Sequence, residues 1–135
     1  MNKISASITQ IIAQDSCAMI QMQCGFGRLY AAMVHTDEFA IDDKVIATFR
    51  ENEVFVMPKM PKMPAIPNMF DGRIHSFTQN GIFTHLSLMP MLNDTPYDEI
   101  YALLPAPYPL MPKQECLWYV PCSAILLEKD IKWIS

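Results

Sequence analysis

The chain repeats itself, and a repeated chain must fold as paired units. Asn2-Lys3-Ile4-Ser5-Ala6-Ser7-Ile8-Thr9-Gln10-Ile11 aligns with Asn68-Met69-Phe70-Asp71-Gly72-Arg73-Ile74-His75-Ser76-Phe77 at a constant shift of 66 positions. Both stretches carry Asn first, a small residue fifth and Ile seventh. Leu29-Tyr30-Ala31-Ala32-Met33 aligns with Ile100-Tyr101-Ala102-Leu103-Leu104 at a shift of 71, which also carries Phe49 onto Val120 and Val54 onto Ile125. The change of shift falls where the second copy holds Pro90, Asn93, Asp94 and Pro96, and insertions are best tolerated in exposed turns. Each copy has about 60 residues, near the lower limit for a domain that folds alone. The halves are therefore expected to pack on each other or on another chain, and paired units place a ligand site at a seam rather than in one cleft.

Apolar and polar residues alternate in short runs. Ile4, Ala6 and Ile8 alternate with Ser5 and Ser7, and Ala18, Ile20, Met22 and Cys24 alternate with Met19, Gln21 and Gln23. This is the period of half-buried strands. Gly25-Phe26-Gly27 and Asn80-Gly81 predict hairpin turns. Thr36, Asp37 and Glu38 read as a polar turn opening one helical turn through Phe39 and Ile41, with a break at Asp42-Asp43. Further strands are expected at Val45 to Phe49 and Val54 to Met57, and in the second copy at Phe70 to Ser76, Ile82 to Leu88, Glu99 to Leu104, Cys116 to Val120 and Ser123 to Leu127. No apolar run follows a helical period for a dozen residues. The predicted fold class is all-β: two tandem OB-like five-stranded barrels, since closure removes exposed sheet edges. The predicted organisation is a first module over 1–57, a linker over 58–67 and a second module over 68–135.

The linker has a three-residue rhythm. Pro58, Pro61, Pro64 and Pro67 form one edge, Met57, Met60, Met63 and Ile66 a second, and Lys59 and Lys62 a third. That is the polyproline II repeat and predicts a stiff strut. Thioethers suit Cu(I), but on such a strut the three sulfurs stand about 9 Å apart, too far to share an ion.

Composition narrows the function classes. Hydrophobic residues make up 51% and charged residues 18% of the chain, which points to a buried subunit interface. The net charge of −4 argues against nonspecific nucleic-acid binding. No apolar run reaches the roughly 18 to 20 residues of a membrane span, and no basic–apolar–small leader opens the sequence, so the expected location is cytoplasmic. Cys17, Cys24, Cys116 and Cys122 lack the two-residue gap of a zinc knuckle and read as small buried thiols. His75 and His85 flank the Asn80-Gly81 turn and read as a polar surface pair, and His35 as a solvated strand end. No phosphate loop, nucleophile arrangement or carboxylate cluster is present. The sequence gives no positive sign of an enzyme.

The unit Asn-x-x-x-small-x-Ile, a following hairpin, a Tyr-Ala strand and the closing Val45 to Val56 run together resemble the Mop or TOBE module. Such modules occur in molybdenum-pterin-binding proteins, in the C-terminal half of the molybdate-responsive transcription regulator and at the tail of molybdate transporter ATPases. The resemblance covers roughly residues 2–57 and 68–128, and Asn68 to Phe77 is the best single match, keeping both the family's Asn and its Gly. It implies binding of molybdate or tungstate between modules, through hydroxyls, backbone N–H groups and one or two cations.

Carried over residue by residue, the resemblance implies Asn2, Arg50 and Asn52 for the first copy and Asn68 and Ser123 for the second as oxyanion-binding residues. The family's Arg before the first strand falls on Met1 and Pro67. Its Lys-Ala-Ser-Ser turn falls on Arg50-Glu51-Asn52-Glu53 and Pro121-Cys122-Ser123-Ala124. The implied function is non-catalytic binding of molybdate or tungstate in molybdenum transport, storage or homeostasis. Implied partners are a second copy in a homodimer or larger homo-oligomer and a molybdate transporter component, with no direct DNA binding and no membrane. Two further readings stay open: an interaction scaffold that kept the fold and lost the anion site, and an OB-type nucleic-acid binder stacking bases on Phe26, Phe55 or Tyr101.

Overall fold

The computed structural model describes residues 1–34, 37–61 and 65–130. The first half forms β1 (Asn2–Gln14), β2 (Cys17–Cys24), β3 (Gly27–Val34), β4 (Lys44–Phe49) and β5 (Phe55–Pro58). The second forms β6 (Met69–Asn80), β7 (Phe83–Leu92), β8 (Thr95–Pro96), β9 (Ile100–Pro105), β10 (Glu115–Tyr119) and β11 (Leu126–Lys129). Two single 3-10 turns, Glu51–Glu53 and Cys122–Ala124, precede the last strand of each half at matching places. The chain is all-β, with one sheet of five strands and one of six, and its two units are OB-like.

The strand order shows how the units are tied together. One sheet runs β11-β4-β1-β2-β3, and the other runs β5-β10-β6-β7, with β9 also on β7. Each sheet thus takes its closing strand from the other half of the chain. Leu126 to Lys129 pair antiparallel with Thr48 to Val45, and Phe55 to Pro58 pair with Tyr119 to Cys116. The expected division at 57 and 68 follows chain order, while the hydrogen bonds follow this crossed order. β11 approaches β3 and β5 approaches β9, which brings each sheet round toward closure.

The repeat is visible in detail. β1 skips one residue of register at Thr9 and β6 skips one at His75, the same repeat position. Such bulges bend a strand and sharpen its twist. β1 also runs past the expected Ile8 to Gln14; beyond the bulge Ile11 is only half-buried against the core and Ile12 is exposed, so the alternation lapses. The inserted residues of the second copy form the β7–β8 hairpin, turned by Asn93 and Asp94 with φ of 49° and 64°. Two positive φ values are the signature of a primed hairpin turn. At the other expected turn, Asn80 pairs with Phe83, so the turn residues are Gly81 and Ile82 and only Gly81 has positive φ, at 65°.

Other expectations need correction. No helical turn covers Phe39 to Ile41. Turns instead occupy 37–38 and 41–42, Ala40 N–H donates to Asp43 Oδ2 at 2.9 Å, and Phe39 is buried. The strand expected at Val54 to Met57 runs one residue further, since Pro58, the first linker residue, pairs with Cys116. Lys62, Met63 and Pro64, and the Thr36 and His35 readings, lie outside the described residues.

One core runs through both units. Ile8, Met22, Leu29, Val45 and Phe49 of the first half and Ile74, Leu88, Trp118, Val120 and Ile125 of the second are almost fully buried. Burial of each large side chain is worth roughly 1.5–3 kcal/mol. Phe26, at the β2–β3 turn, packs edge-on against Phe70 at 4.9 Å and against Trp118 at 5.4 Å between ring centroids. Gly72 makes room for this cluster, since a Cβ there would lie 3.0 Å from Trp118 Cδ1 and 3.2 Å from Cys116 Sγ. The burial of Phe26 removes it as a base-stacking platform, whereas Phe55 and Tyr101 are exposed.

Candidate functional site

The two half-turn asparagines join the barrels. Asn2 donates from Nδ2 to the Tyr101 carbonyl at 2.9 Å and accepts the Tyr101 N–H on Oδ1 at 2.8 Å. Asn68 makes the same pair of bonds with Tyr30, both at 2.8 Å. Tyr30 lies on β3 and Tyr101 on β9, so each asparagine grips a strand of the opposite half of the chain. Both asparagines are buried. An amide side chain offers one acceptor and two donors in a fixed plane, and here it acts as a substitute peptide group completing the edge of a strand. Asn68 sits at φ 64°, a left-handed conformation that Asn tolerates.

The remaining sequence candidates gather at the same two seams. Arg50 and Asn52 flank and form the 51–53 turn, which packs on β9 beside Tyr101, and Asn2 pairs with Phe49 next to it. Ser123 lies in the 122–124 turn, which packs on β3 beside Tyr30, and Val120 N–H donates to the Asn68 carbonyl at 3.3 Å. Arg50, Asn52 and Ser123 are exposed. The five expected residues thus divide into Asn2, Arg50 and Asn52 at the Tyr101 seam, and Asn68 and Ser123 at the Tyr30 seam. Glu53 folds back on its own turn, accepting the Arg50 N–H on Oε1 at 3.1 Å.

Each seam has a cavity of its own. At the Tyr30 seam a groove of about 280 Å³ is lined by Arg28, Tyr30, Asn68 and the apolar Ile66, Met69 and Phe70, among others. Among the described residues Arg28 is the only charged one lining it, and no carboxylate forms an ion pair with Arg28. At the Tyr101 seam the corresponding cavity, about 250 Å³, is lined by Lys3, Phe26, Tyr97, Asp98 and Glu99, among others. A neighbouring cavity of about 320 Å³ holds Glu51, His75, His85, Ser87, Glu99 and Tyr101, among others. There Glu99 accepts from the Tyr101 hydroxyl at 3.1 Å, and its other oxygen lies 3.2 Å from His75 Nε2. His75 therefore has an acidic partner, which the reading of a simple surface pair did not include.

Sequence reasoning did not single out Arg28. It sought cations at the family's two motif positions, before the first strand and in the closing turn, and Arg28 occupies neither. The available signal was the Tyr30/Tyr101 alignment itself, which sets Arg28 against Glu99.

The cysteines do not build a site. Cys24 and Cys116 are buried, Cys17 is exposed and Cys122 partly so, against the expectation of four buried thiols, and all four are free. Burial pushes the Cys116 thiol up to about 12 and raises that of Cys24. Among the described residues no group of three or more His, Cys, Asp or Glu side chains is arranged to hold a metal ion, and no helix is long and apolar enough to cross a membrane.

The chain is similar to a solved structure of the cytoplasmic molybdate-binding protein ModG, in a crystal form with molybdate bound. The TM-score is 0.81 over 96% of this chain and 96% of that chain, with 15% sequence identity. At that identity the likeness establishes the fold. No protein-family model matches the sequence, and no curated protein matches it.

Proposed function

We propose that this protein is a non-catalytic, cytoplasmic binder of a tetrahedral oxyanion of the molybdate or tungstate type, held at a seam between its two barrels. The observation that carries the reading is a solvent-accessible groove at such a seam whose only charge among the described residues is an arginine, in a fold shared almost end to end with ModG. A dianion is captured reversibly by charge-assisted hydrogen bonds. The protein's net charge of −4 gives no long-range attraction, so capture depends on local donors. A role in molybdenum transport, storage or homeostasis follows from reversible capture, with a molybdate transporter component as partner. Exposed Ile12, Val34, Ile82 and Phe83 favour association of copies into a dimer or larger oligomer.

Titration calorimetry with molybdate, tungstate and sulfate at neutral pH tests the proposal. Saturable heat with molybdate or tungstate, and weaker or no heat with sulfate, is expected. No heat from any of the three at millimolar ligand removes the ligand and leaves the fold.

A further inference from the structure

The repeat makes the two seams comparable position by position, and their charges disagree. Tyr30 corresponds to Tyr101, so Arg28 corresponds to Glu99 and Gly27 to Asp98. Asn68 corresponds to Asn2, so Met69 corresponds to Lys3. Among the described residues, the groove at the Tyr30 seam is therefore lined by one arginine and no carboxylate. The Tyr101 seam presents Asp98 and Glu99 beside Lys3, with Glu51 facing the adjoining cavity.

We infer that the chain binds one oxyanion, at the Tyr30 seam, with Arg28 as the binding cation, and that the Tyr101 seam is closed to anions by Glu99 and Asp98. This inference rests on the oxyanion reading above and specifies where it operates. Arg28 brings a guanidinium with five donors in a planar fork, suited to two oxygens of one anion. Tyr30 brings a phenolic O–H. Asn68 spends one amide N–H on the Tyr30 carbonyl and keeps the second. Ile66, Pro67, Met69 and Phe70 form an apolar wall on one side of the groove. At the other seam the same strand position carries a carboxylate already engaged by His75 and the Tyr101 hydroxyl. A dianion entering the cavity lined by Lys3, Asp98 and Glu99 meets like charge from two side chains, and among the described residues lining it Lys3 offsets only one.

The test is calorimetry with molybdate on the full chain and on Arg28→Ala, with Arg73→Ala as a control for the loss of a positive charge elsewhere. Circular dichroism verifies that each variant is folded. The expected result is one anion per chain, affinity lowered roughly tenfold or more in Arg28→Ala, and little change in Arg73→Ala. Two anions per chain, or binding that persists in Arg28→Ala or is lost instead in Arg50→Ala, overturns the inference while the oxyanion reading stands. No heat from the unmodified chain with molybdate or tungstate removes that reading and the inference with it.

Discussion

At the Tyr30 seam Asn68 grips β3 beside Arg28, and at the Tyr101 seam Asn2 grips β9 beside Glu99. The grip is the same to within about 0.1 Å across its bonds, while the charge next to it is reversed. The polar clasp between units and the chemistry beside it are thus separable. Fold requires the asparagine, because a buried strand edge must have its N–H and C=O satisfied. Nothing in the fold requires the neighbouring charge, so one copy can carry an anion-attracting residue and the other an anion-repelling one.

The largest effect is expected from breaking the clasps. Asn68→Ala leaves the Tyr30 N–H and C=O unpaired and puts Ala at φ 64°, for a loss of about 3 kcal/mol. Asn2→Ala loses the same two bonds without the left-handed strain, so it should cost less. Urea unfolding of both variants measures the difference, and equal losses would show that the left-handed turn adds nothing at Asn68.

A smaller cost, about 2 kcal/mol, is expected for Gly72→Val, which overpacks Trp118, Cys116 and Leu88. The equivalent residue in the first unit is Ala6, already accommodated in the core. If Gly72→Val unfolds at the same denaturant concentration as the unmodified chain, the aromatic cluster is looser than described.

Thr84 gives a change of opposite sign. Its hydroxyl is buried without a hydrogen-bond partner among the described residues, where the equivalent Ala18 has no polar group. Thr84→Val is therefore expected to be neutral or to stabilise by up to about 1 kcal/mol. A loss of stability beyond that, read in the same unfolding assay, would reveal a partner for the hydroxyl.

The smallest effect near neutrality is alkaline. Burial raises Cys116 from 9.0 to about 12, and Tyr108, whose hydroxyl donates to the Val56 carbonyl at 2.7 Å, from 10.0 to about 12. Both groups are neutral when protonated and are held protonated by folding. Their contribution is full below pH 9.0 and is lost as pH rises from there toward about 12. Stability measured across that range should fall, and Cys116→Ala should flatten the slope. An unchanged slope would place the alkaline sensitivity elsewhere.

The strands were legible because one face of each is buried. Ile4, Ala6 and Ile8 alternate with polar residues and all three point into the core. The repeat was legible because both copies need the same asparagine and the same closing turn. The exchange of β5 and β11 was not, since a four-residue strand after a 3-10 turn reads the same whichever sheet it joins. The seams were legible, and the cation proposed at one of them was not. Asn2 and Asn68, expected among the oxyanion-binding residues, both lie at the seams, where they bond to Tyr101 and Tyr30. Arg28 escaped because a strand-end arginine has no local signal. Its place in a groove comes from the Ala65 to Phe70 segment, nearly forty positions away.

Diffraction from crystals soaked in tungstate tests the central claim most directly, because the heavy anion marks its own position and donors. One strong anomalous peak per chain is expected, within hydrogen-bond reach of the Arg28 guanidinium and beside Tyr30 and Asn68. Peaks of equal strength at both seams, or a single peak at Arg50 and Asn52, would contradict it.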